Sequence, residues 1–434
     1  MKSCVTTTRL LVAFCTVFLL TACDSTDLIQ WSPDGKRVAV LASDGLRLGD
    51  ETGKLSAPVD ESICALRWFP DSNRAVVKTC VLVTKWADLR KILSQREQGE
   101  IQIAARKIWR SGRISSSLAG VPAQEACVYL GSLYGQQAVK NRFKLDECSM
   151  SVVVHYLRVL NLSKNERVDK SLILWRSVAD INDMRMSPKG TAVVMAVESS
   201  DTKKVDEPCD NRVMVLPVKG GPARVVAIPV NGLPDWTPDG KSLVYILKPI
   251  VDLRRIGKGR KDATEPMWVF KLQRREVADA DGNLLSRFAP PETLVDLVDV
   301  TDAQAHCLPD GSVIFKAKQR AYPSVGSAKL REYLYRLKPD HNLETILGSD
   351  KLFERGLAFF QPNQDGSKIV FWEYPHSQIS VLDVASGQSK DLEKESSEEL
   401  KLDPQWRTRD ELCYPARNPT NQKPAMMWTS YCDP

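Results

Sequence analysis

The stretch Trp-Ser-Pro-Asp-Gly-Lys-Arg-Val-Ala-Val, residues 31–40, decides the fold of this chain. Its Pro presets φ at the first corner of a turn, its Asp tolerates the second corner, and its Gly permits a left-handed exit. The alternating apolar residues that follow are typical of a β-strand. The stretch therefore predicts a hairpin unit.

The same pattern returns along the chain. Further copies occur at residues 68–77, 186–195, 236–245 and 308–315, with one inserted residue at 361–371 and a worn copy at 406–414. A unit with one hairpin signal and a few short strands cannot bury its own apolar face, so it must stack on copies of itself. We expect about seven four-stranded blades around an axis. The Trp or other bulky residue that opens most copies is predicted to fill the wedge between blades rather than to stack on a ligand.

These residues resemble the TolB-type, WD40-like propeller repeat, whose signature is an aromatic-Ser-Pro-Asp-Gly-Lys turn followed by a short apolar strand. The resemblance covers about residues 28–431 and is strongest at Trp31 and Trp236. It implies an all-β fold, a β-propeller. TolB carries an α/β domain ahead of its propeller, whereas the first repeat here begins almost at the expected mature N-terminus. We therefore expect a propeller alone and do not transfer TolB's partners.

Residues 1–23 predict a lipoprotein signal peptide. Two basic residues precede an apolar run that is too short to span a bilayer, and the segment ends Leu-Thr-Ala-Cys. This ending resembles a bacterial lipobox, which implies that Cys23 becomes a lipid-modified N-terminus, with palmitate among the acyl chains. The alternative is an ordinary secretory signal followed by a structural Cys. Asp24 resembles the inner-membrane retention signal of enterobacterial lipoproteins, so we expect a cell-envelope protein anchored to a membrane facing the periplasm, with the inner membrane favoured.

The remaining chain, residues 24–434, is predicted to form one propeller domain. Its composition, with 43% hydrophobic residues, suits a globular protein with a large core or a ring of small ones. Loss of the two basic residues of the signal lowers the formal net charge from +6 to +4. This balance is weakly basic. A nucleic-acid partner is not expected, because it would require another compartment than the envelope and no nucleic-acid-binding motif is present.

Eight cysteines follow Cys23, and an even number in an exported chain suggests disulfides. Cys64 and Cys80 lie symmetrically about the second hairpin turn, so an antiparallel pair of strands would place them at bridging distance. The other expected pairs are Cys413 with Cys432, Cys127 with Cys148 and, by elimination, Cys209 with Cys307. Eight cysteines permit 105 pairings, so other connectivities stay open. No CxxC or Cys/His spacing predicts a metal site.

The spacing between the second and third repeats stretches to 118 residues, which predicts an insertion at about residues 85–125. Two amphipathic helical patterns occur there: Trp86, Leu89, Ile92 and Leu93 share one face, as do Ile101, Ala104, Ala105 and Ile108. Residues 85–113 contain eight Lys or Arg and three Asp or Glu. The insertion could contact anionic lipid or a partner, and the favoured alternative is a helical cap with a solvated basic face.

Contact with a partner or membrane is assigned to cations and aromatic residues in two segments. In the insertion the candidates are Trp86, Arg90, Lys91, Arg106, Lys107, Trp109 and Arg110. In a second basic stretch, residues 248–261, they are Arg254, Arg255, Lys258, Arg260 and Lys261. The second stretch is predicted to be an exposed loop of the fourth unit, for which simple solvation is the favoured interpretation.

No catalytic motif is present, and no cofactor or metal is expected. The chain lacks a Gly-x-Ser-x-Gly elbow and a phosphate-cradling motif. The Asp residues of the turns are explained by turn geometry. His155, His306, His341 and His376 are predicted to be structural or exposed rather than metal ligands.

The function predicted is therefore that of a protein-interaction or scaffold propeller in the cell envelope, not an enzyme. Two alternatives stay open: a carbohydrate-active or hydrolytic enzyme that uses the central channel, and a non-catalytic binder of a glycan or small ligand. A dense cluster of His, Asp, Glu and Arg at one mouth of the channel would favour the enzyme. An apolar or aromatic patch beside the insertion would favour the scaffold. The last unit offers only three strand candidates, one short of a blade.

Overall fold

The computed structural model describes residues 29–430 with internal gaps. Within that span, the residues left out of the description are 43–44, 53, 61, 115–122, 146–147, 165–170, 199–210, 248–268, 299–303, 319–331, 347–356, 374–378, 393–403 and 418–423. The predicted signal peptide, Cys23, Cys209, Cys432, His376 and the basic stretch from Arg254 to Lys261 all lie outside the described residues.

Short antiparallel strands make up most of the described chain. They are β1 (Ile29–Trp31), β2 (Arg37–Ala42), β3 (Gly45–Asp50), β4 (Ile63–Trp68), β5 (Arg74–Val83), β6 (Val152–Asn161), β7 (Leu172–Ser177), β8 (Ile181–Met186), β9 (Ala192–Glu198), β10 (Asn211–Pro217), β11 (Arg224–Trp236), β12 (Ser242–Leu247), β13 (Val269–Glu276), β14 (Glu292–Val298), β15 (Ala305–Cys307), β16 (Val313–Lys318), β17 (Glu332–Leu337), β18 (Leu343–Thr345), β19 (Leu357–Pro362), β20 (Lys368–Glu373), β21 (Ile379–Asp383), β22 (Ser389–Asp391), β23 (Gln405–Trp406), β24 (Glu411–Arg417) and β25 (Pro424–Ser430).

Strand pairing divides the chain into consecutive antiparallel units. Five units have four strands each: β4–β7, β8–β11, β11–β14, β15–β18 and β19–β22. Strand β11 serves two of them, because its register shifts between Asn231 and Asp235 as it passes from the outer edge of one unit to the inner edge of the next. The first unit, β1–β3, and the last, β23–β25, have three strands each in the described residues.

The first strands of the units contact one another in order and close a ring. Strand β1 contacts β4 and β23, and β4, β8, β11 and β15 follow in sequence. Side chains bridge the remaining junctions: the Phe360 amide donates to Gln304 Oε1 over 3.4 Å, and Trp406 Nε1 donates to the Gln361 carbonyl over 3.1 Å. The predicted all-β propeller is confirmed. With the two three-stranded terminal sheets taken together as the closing unit, the ring has six blades, one fewer than the roughly seven expected.

The repeated turns adopt the geometry that their sequence predicts. In the first copy, the Gly35 amide donates to the Ser32 carbonyl over 2.8 Å, and Ser32 Oγ donates to Asp34 Oδ1 over 2.6 Å. This hydrogen bond from Ser32 holds the pKa of the Asp34 carboxyl below its ordinary value. Gly35 has a φ of 68°, whereas in the second copy Ser72 takes the glycine position with a φ of 57°. The turn therefore forms even where its sequence has drifted.

The core consists of apolar clusters between neighbouring blades. The tryptophans that open four of the repeats are buried, with exposed fractions of 9% for Trp31, 6% for Trp68, 4% for Trp236 and 8% for Trp406. Trp68 Nε1 also donates to the Gln30 carbonyl of the preceding sheet over 3.0 Å. These residues pack between blades, as the sequence predicts. The first and last sheets share a cluster that includes Ile29, Val40 and Cys413.

The predicted insertion is helical and connects β5 to β6. It contains α1 (Trp86–Leu89), α2 (Gln95–Ser111), α3 (Ala123–Tyr134), α4 (Gln136–Phe143) and a short 3-10 helix (Cys148–Met150). Helix α2 begins with a capping box between Ser94 and Glu97 and ends at Gly112, which has a φ of 68°. The predicted apolar face of α2 is buried, as are Leu89 and Leu93 of the preceding segment. The helices continue to Phe143, beyond the expected residue 125. The sequence pattern does not reveal α3, because this helix is apolar on most sides and lacks the amphipathic period that marks α2.

Candidate functional site: the loop face of the ring

The two ends of the ring differ in the connections they carry. At one end, which we call the turn face, the repeated turns join the first and second strands of each blade. At the other end, the loop face, the second strand connects to the third. The insertion joins β5 to β6, so it leaves and rejoins the second blade at the loop face. Strands β12 and β13 hold the same positions in the fourth blade, so Leu247 and Val269 lie at the loop face, while Arg254 to Lys261 lie outside the described residues.

The insertion has its own core against the second blade. Leu89, Ile101, Ala105 and Ile108 pack with residues of α3 and with Val83, Val152 and Val154 of the blade. Trp86 lies edge-on to Tyr129 with ring centroids 4.9 Å apart. The apolar face that could have entered a bilayer is therefore occupied by protein.

A second aromatic group forms at the outer end of the insertion. Trp109 stacks on Tyr134 with ring centroids 3.9 Å apart and an interplanar angle of 5°. The Arg142 guanidinium lies 4.4 Å from the Trp109 ring centroid and donates to the Trp109 carbonyl over 3.0 Å. These contacts join α2 to α3 and α4. The two predicted aromatic contact residues, Trp86 and Trp109, are thus half-buried and engaged within the insertion.

The predicted cations of the insertion remain on its surface. Arg90, Lys91, Arg106, Lys107 and Arg110 are all exposed. Lys91 pairs with Asp88 over 2.9 Å. Arg106, Lys107 and Arg110 follow at helical spacing with Ile103, which is 57% exposed. They form a basic stripe on α2 opposite its buried face.

A groove lies where the insertion leaves the blade. Its volume is about 450 Å³, and it is lined by Val81, Leu82, Val83, Thr84, Lys85, Asp88, Lys91, Ile92, Tyr156 and Arg176. Val81 and Leu82 are 41% and 43% exposed, although they belong to a strand. The Arg176 guanidinium donates to the Lys91 carbonyl over 2.8 Å and ties the outer strand of the blade to the insertion. The groove thus combines apolar side chains with three cations and one carboxylate.

Exposed apolar side chains concentrate on the second blade and the insertion, and Val81 and Leu82 are the ones that line the groove. Leu172 and Ile173 lie further along the blade towards the turn face, because they pair with Val159 and Arg158. Nine large apolar residues are more than two-fifths exposed in the described part of the chain, and seven of them belong to the second blade or the insertion. Those seven are Val81, Leu82, Ile103, Leu133, Tyr134, Leu172 and Ile173. The other two, Val225 and Ile228, lie on β11. Val81 and Leu82 therefore give exposed apolar surface beside the insertion, which is the signal expected of a scaffold.

A ring of polar side chains lines the inner strands, and the sequence analysis missed it. The position three residues before the turn proline, or its equivalent, is polar in every repeat: Gln30, Arg67, Arg185, Asp235, His306, Gln361 and Gln405. Aligning the repeats and reading the position before the bulky residue would have found it.

Three ring residues, Arg67, Arg185 and Asp235, bind the next blade through their side chains. Arg67 pairs with Asp183 over 2.7 Å, and Arg185 pairs with Asp235 over 2.9 Å. Asp235 Oδ2 accepts a hydrogen bond of 2.9 Å from the Cys307 amide. These acidic and basic groups therefore satisfy one another, which favours a structural role.

Two polar side-chain atoms of this ring, by contrast, have unmet hydrogen-bonding capacity. His306 Nε2 and Gln361 Oε1 are buried without a hydrogen-bond partner among the described residues. Burial, reinforced by the Arg185 charge, lowers the pKa of His306 to about 4. His306 is therefore neutral at pH 7. His155 is buried in β6, and His341 is 54% exposed. No group of three His, Cys, Asp or Glu side chains suited to a metal ion occurs in the part of the chain that the structure covers.

The cysteines divide into one close pair and several separated residues. Cys64 Sγ and Cys80 Sγ lie 3.0 Å apart, on neighbouring strands of the second blade. Burial raises the pKa of Cys127 in α3 and of Cys413 in β24 to about 11, and raises that of Cys307 as well. The other three expected pairs each include a side chain outside the description: Cys148, Cys209 or Cys432.

Glu125 is buried inside the insertion, with an exposed fraction of 4%. Its Oε2 atom has no hydrogen-bond partner in the described residues. Burial raises the pKa of this carboxyl to about 7; its own backbone opposes the rise, and the Glu97 charge adds to it. The insertion therefore contains a carboxyl that titrates near neutral pH.

Comparison with solved structures agrees with the fold. An oligogalacturonate lyase in complex with manganese is similar, with a TM-score of 0.50 and 10% identity over 93% of this chain and 88% of the other. TolB from Acinetobacter baumannii has a TM-score of 0.39 and 13% identity over 92% and 75%. The β-propeller domain of the trilobed protease from Pyrococcus furiosus has a TM-score of 0.46 and 8% identity over 92% and 95%.

At these identities the first likeness shows the β-propeller fold alone. No protein-family model and no curated protein matches the sequence. Among the described residues, no helix has the length and apolar character needed to cross a membrane.

Proposed function

We propose that this chain is a lipid-anchored cell-envelope protein that acts as a non-catalytic interaction propeller, with the groove between insertion and second blade as its binding site. The observation that carries the proposal is the concentration of exposed apolar side chains on this one blade and its insertion. Exposed apolar side chains flanked by polar groups are typical of protein-binding sites.

The groove specifies the chemistry of the partner. Val81, Leu82 and Ile92 offer apolar contacts, while Lys85, Lys91 and Arg176 offer positive charge at the same groove. The basic stripe of Arg106, Lys107 and Arg110 extends this positive surface along α2. The partner is therefore an envelope protein that presents apolar side chains beside carboxylates. Charge complementarity of this kind raises the association rate and makes binding sensitive to salt.

A membrane surface fits these groups less well than a protein does. An amphipathic helix that lies on a bilayer inserts its apolar face into the headgroup region. The apolar face of α2 is already packed against α3 and the blade. Ile103 is the exposed large apolar residue on the basic stripe, which leaves little surface to insert.

The test compares two matched pairs of substitutions. Val81→Ser with Leu82→Ser removes apolar surface at the groove, and Val225→Ser with Ile228→Ser removes apolar surface of similar exposure on β11. Wild type and both variants are used to capture proteins from solubilised envelope, and captured proteins are quantified by mass spectrometry. We expect a defined protein that is retained by wild type and by the β11 variant, lost from the groove variant, and released by increasing salt. Equal capture by both variants would contradict the proposal. Wild type that binds anionic vesicles, with the same binding in the groove variant, would also contradict it.

The anchor is tested separately. We propose that Cys23 carries the lipid, which places the propeller at a membrane surface. Cys23→Ser should move the protein from the membrane fraction to the soluble fraction and abolish labelling with radioactive palmitate. Labelling that persists in Cys23→Ser, or membrane association that is unchanged, would refute the anchor.

A second candidate is binding of a small neutral polar ligand, such as a sugar, at the inner ring. The observation that favours it is the unmet hydrogen-bonding capacity of His306 Nε2 and Gln361 Oε1 on neighbouring inner strands. A buried polar atom without a partner is unfavourable, so a ligand or water that supplied one would stabilise the ring. Thermal shift with neutral saccharides should then raise the Tm of wild type but not of Gln361→Leu. Equal shifts in both proteins would remove this candidate.

A further inference from the structure

Cys64 and Cys80 lie within a cluster of reactive groups at the junction of the second and third blades. Cys80 Sγ is 3.0 Å from Cys64 Sγ and 3.4 Å from His155 Nδ1. His155 Nδ1 is 3.3 Å from Asp180 Oδ1, and Lys78 Nζ is 2.8 Å from the same carboxylate oxygen. The cluster joins residues that are separated by the whole insertion in sequence.

The surroundings of the cluster hold it in place. Lys78 and His155 are buried, with exposed fractions of 5% and 6%, while the two cysteines are partly exposed. Lys78 Nζ also donates to the Ile181 carbonyl over 2.7 Å, which attaches the ammonium to the third blade. The thiols are thus accessible to a reagent, whereas the groups behind them are packed.

The two thiols have different neighbours. Cys64 Sγ donates towards the Lys78 carbonyl at 3.6 Å, an arrangement that retains its proton. His155 Nδ1 lies beside both Cys80 Sγ and Asp180 Oδ1. In the tautomer that carries its proton on Nε2, this nitrogen accepts the Cys80 proton, and the Nδ1–H that results lies between the thiolate and the Asp180 carboxylate, which stabilises the imidazolium. A thiolate beside a protonated histidine is favoured over an isolated one. Cys80 is therefore the nucleophile of the pair, and Cys64 the second thiol.

We propose that Cys64 and Cys80 form a redox-active dithiol that exchanges with an external disulfide, with His155 as the proton acceptor for Cys80. Cys80 transfers its proton to His155, and its thiolate attacks one sulfur of the external disulfide. That S–S bond breaks, and one external thiolate leaves and takes up a proton. Cys64 then loses its proton and attacks Cys80 in the mixed disulfide, which releases the second external thiol. The two cysteines are oxidised by two electrons, and the external disulfide is reduced to two thiols.

Glutathione disulfide is the probe for the first experiment, on the purified, fully reduced protein. The Cys64–Cys80 linkage is followed by rapid alkylation and peptide mapping. His155→Gln should slow its formation about tenfold or more at pH 7. Near pH 10, where a thiol ionises without a base, the two proteins should react at similar rates. His341→Gln, an exposed histidine elsewhere, is the matched control and should leave the rate unchanged.

A second measurement does not depend on the histidine variant folding. In Cys64→Ser, Cys80 should form a mixed disulfide with glutathione at pH 7 at least several times faster than Cys64 does in Cys80→Ser. Dithiothreitol should return the oxidised wild type to the dithiol. Equal rates at the two cysteines, a linkage that dithiothreitol does not reduce in the folded protein, or a rate that His155→Gln leaves unchanged at pH 7 would each overturn the proposal.

Discussion

The turn face and the loop face of the ring differ in the regularity of the connections that they carry. On the turn face, the same short hydrogen bonds recur from blade to blade, as in the turns at Asp34 and Asp239. On the loop face, the connection between second and third strands varies, and the second blade carries four helices there. Regular turns build the ring, while the irregular end supplies distinct surface. The comparison predicts that substitutions on the turn side alter stability and that substitutions at the groove alter binding.

The largest expected effect is the loss of a repeat tryptophan. Trp236→Ala should lower the free energy of unfolding by about 3–5 kcal/mol, because Trp236 is buried between blades and its removal leaves a cavity. Trp109→Ala in the insertion should lower it by less, about 2 kcal/mol, since the half-buried ring loses its stacking on Tyr134 and its contact with Arg142. Chemical denaturation of both variants measures the difference. Equal losses would mean that the insertion supports the fold as strongly as the blades do.

The next effect depends on pH and concerns Glu125. Its folded-state pKa of about 7 lies above the ordinary value of 4.5, so the folded protein holds the proton more tightly than the unfolded chain does. The carboxyl therefore destabilises the fold increasingly as pH rises from 4.5 to 7, and the penalty then levels off. Glu125→Gln should match wild type near pH 4 and exceed its stability by about 3 kcal/mol at pH 8.

Denaturation of the two proteins across this range gives the difference curve. A constant gap between them would show that Glu125 does not titrate in that window. A wild type that is more stable than the variant at pH 8 would show that the buried carboxylate has a favourable partner.

A pair of glycine substitutions sharpens the comparison. Gly366 lies in a repeat turn with a φ of 74°, and a Cβ there would lie 2.3 Å from Leu308 Cδ1. Gly366→Ala should lower the free energy of unfolding by about 2 kcal/mol through backbone strain and overpacking. Gly99 lies inside α2, where a Cβ would meet no atom of the described residues within 4 Å, so Gly99→Ala should raise stability by about 0.5–1 kcal/mol. Changes of the same sign in the free energy of unfolding of both variants would contradict this contrast between the turn face and the insertion.

The smallest expected effect on stability is at the groove itself. Val81→Ser with Leu82→Ser should change the free energy of unfolding by no more than about 0.5 kcal/mol per substitution, since both side chains are partly exposed. Denaturation of this variant beside the β11 pair checks that lost binding does not reflect unfolding. A loss of several kcal/mol would mean that these residues belong to the core.

The parts of the fold that follow local rules could be predicted from the sequence. The turn at Gly240 and the buried stripe of α2 depend on residues within a few positions of one another, so pattern alone identifies them. Helix α3 escaped prediction because Ala126, Val128 and Leu130 lie in an apolar segment without a clear period. The proximity of Cys64 and Cys80 could be predicted because only a turn separates their strands, whereas the expected disulfide between them stays a prediction.

The components of the site that depend on tertiary placement could not be predicted. His155 reaches Cys80 only because β6 returns beside β5 after the insertion. The groove forms where α1 approaches the blade, and no sequence period marks such a junction. Exposure of Val81 and Leu82 is likewise a property of the blade's surroundings, since both residues continue an apolar strand pattern.

Site-specific photocrosslinking in intact cells tests the central claim most directly. A photoreactive residue is placed at Leu82 in the groove and, in matched proteins, at Ile228 on β11 and Lys36 on the turn face, all of which are exposed. The account predicts one defined envelope protein crosslinked at Leu82, at a yield that falls with added salt, and none at the other two positions. Crosslinks to the same protein from all three positions, or from Lys36 alone, would contradict a binding site at the groove.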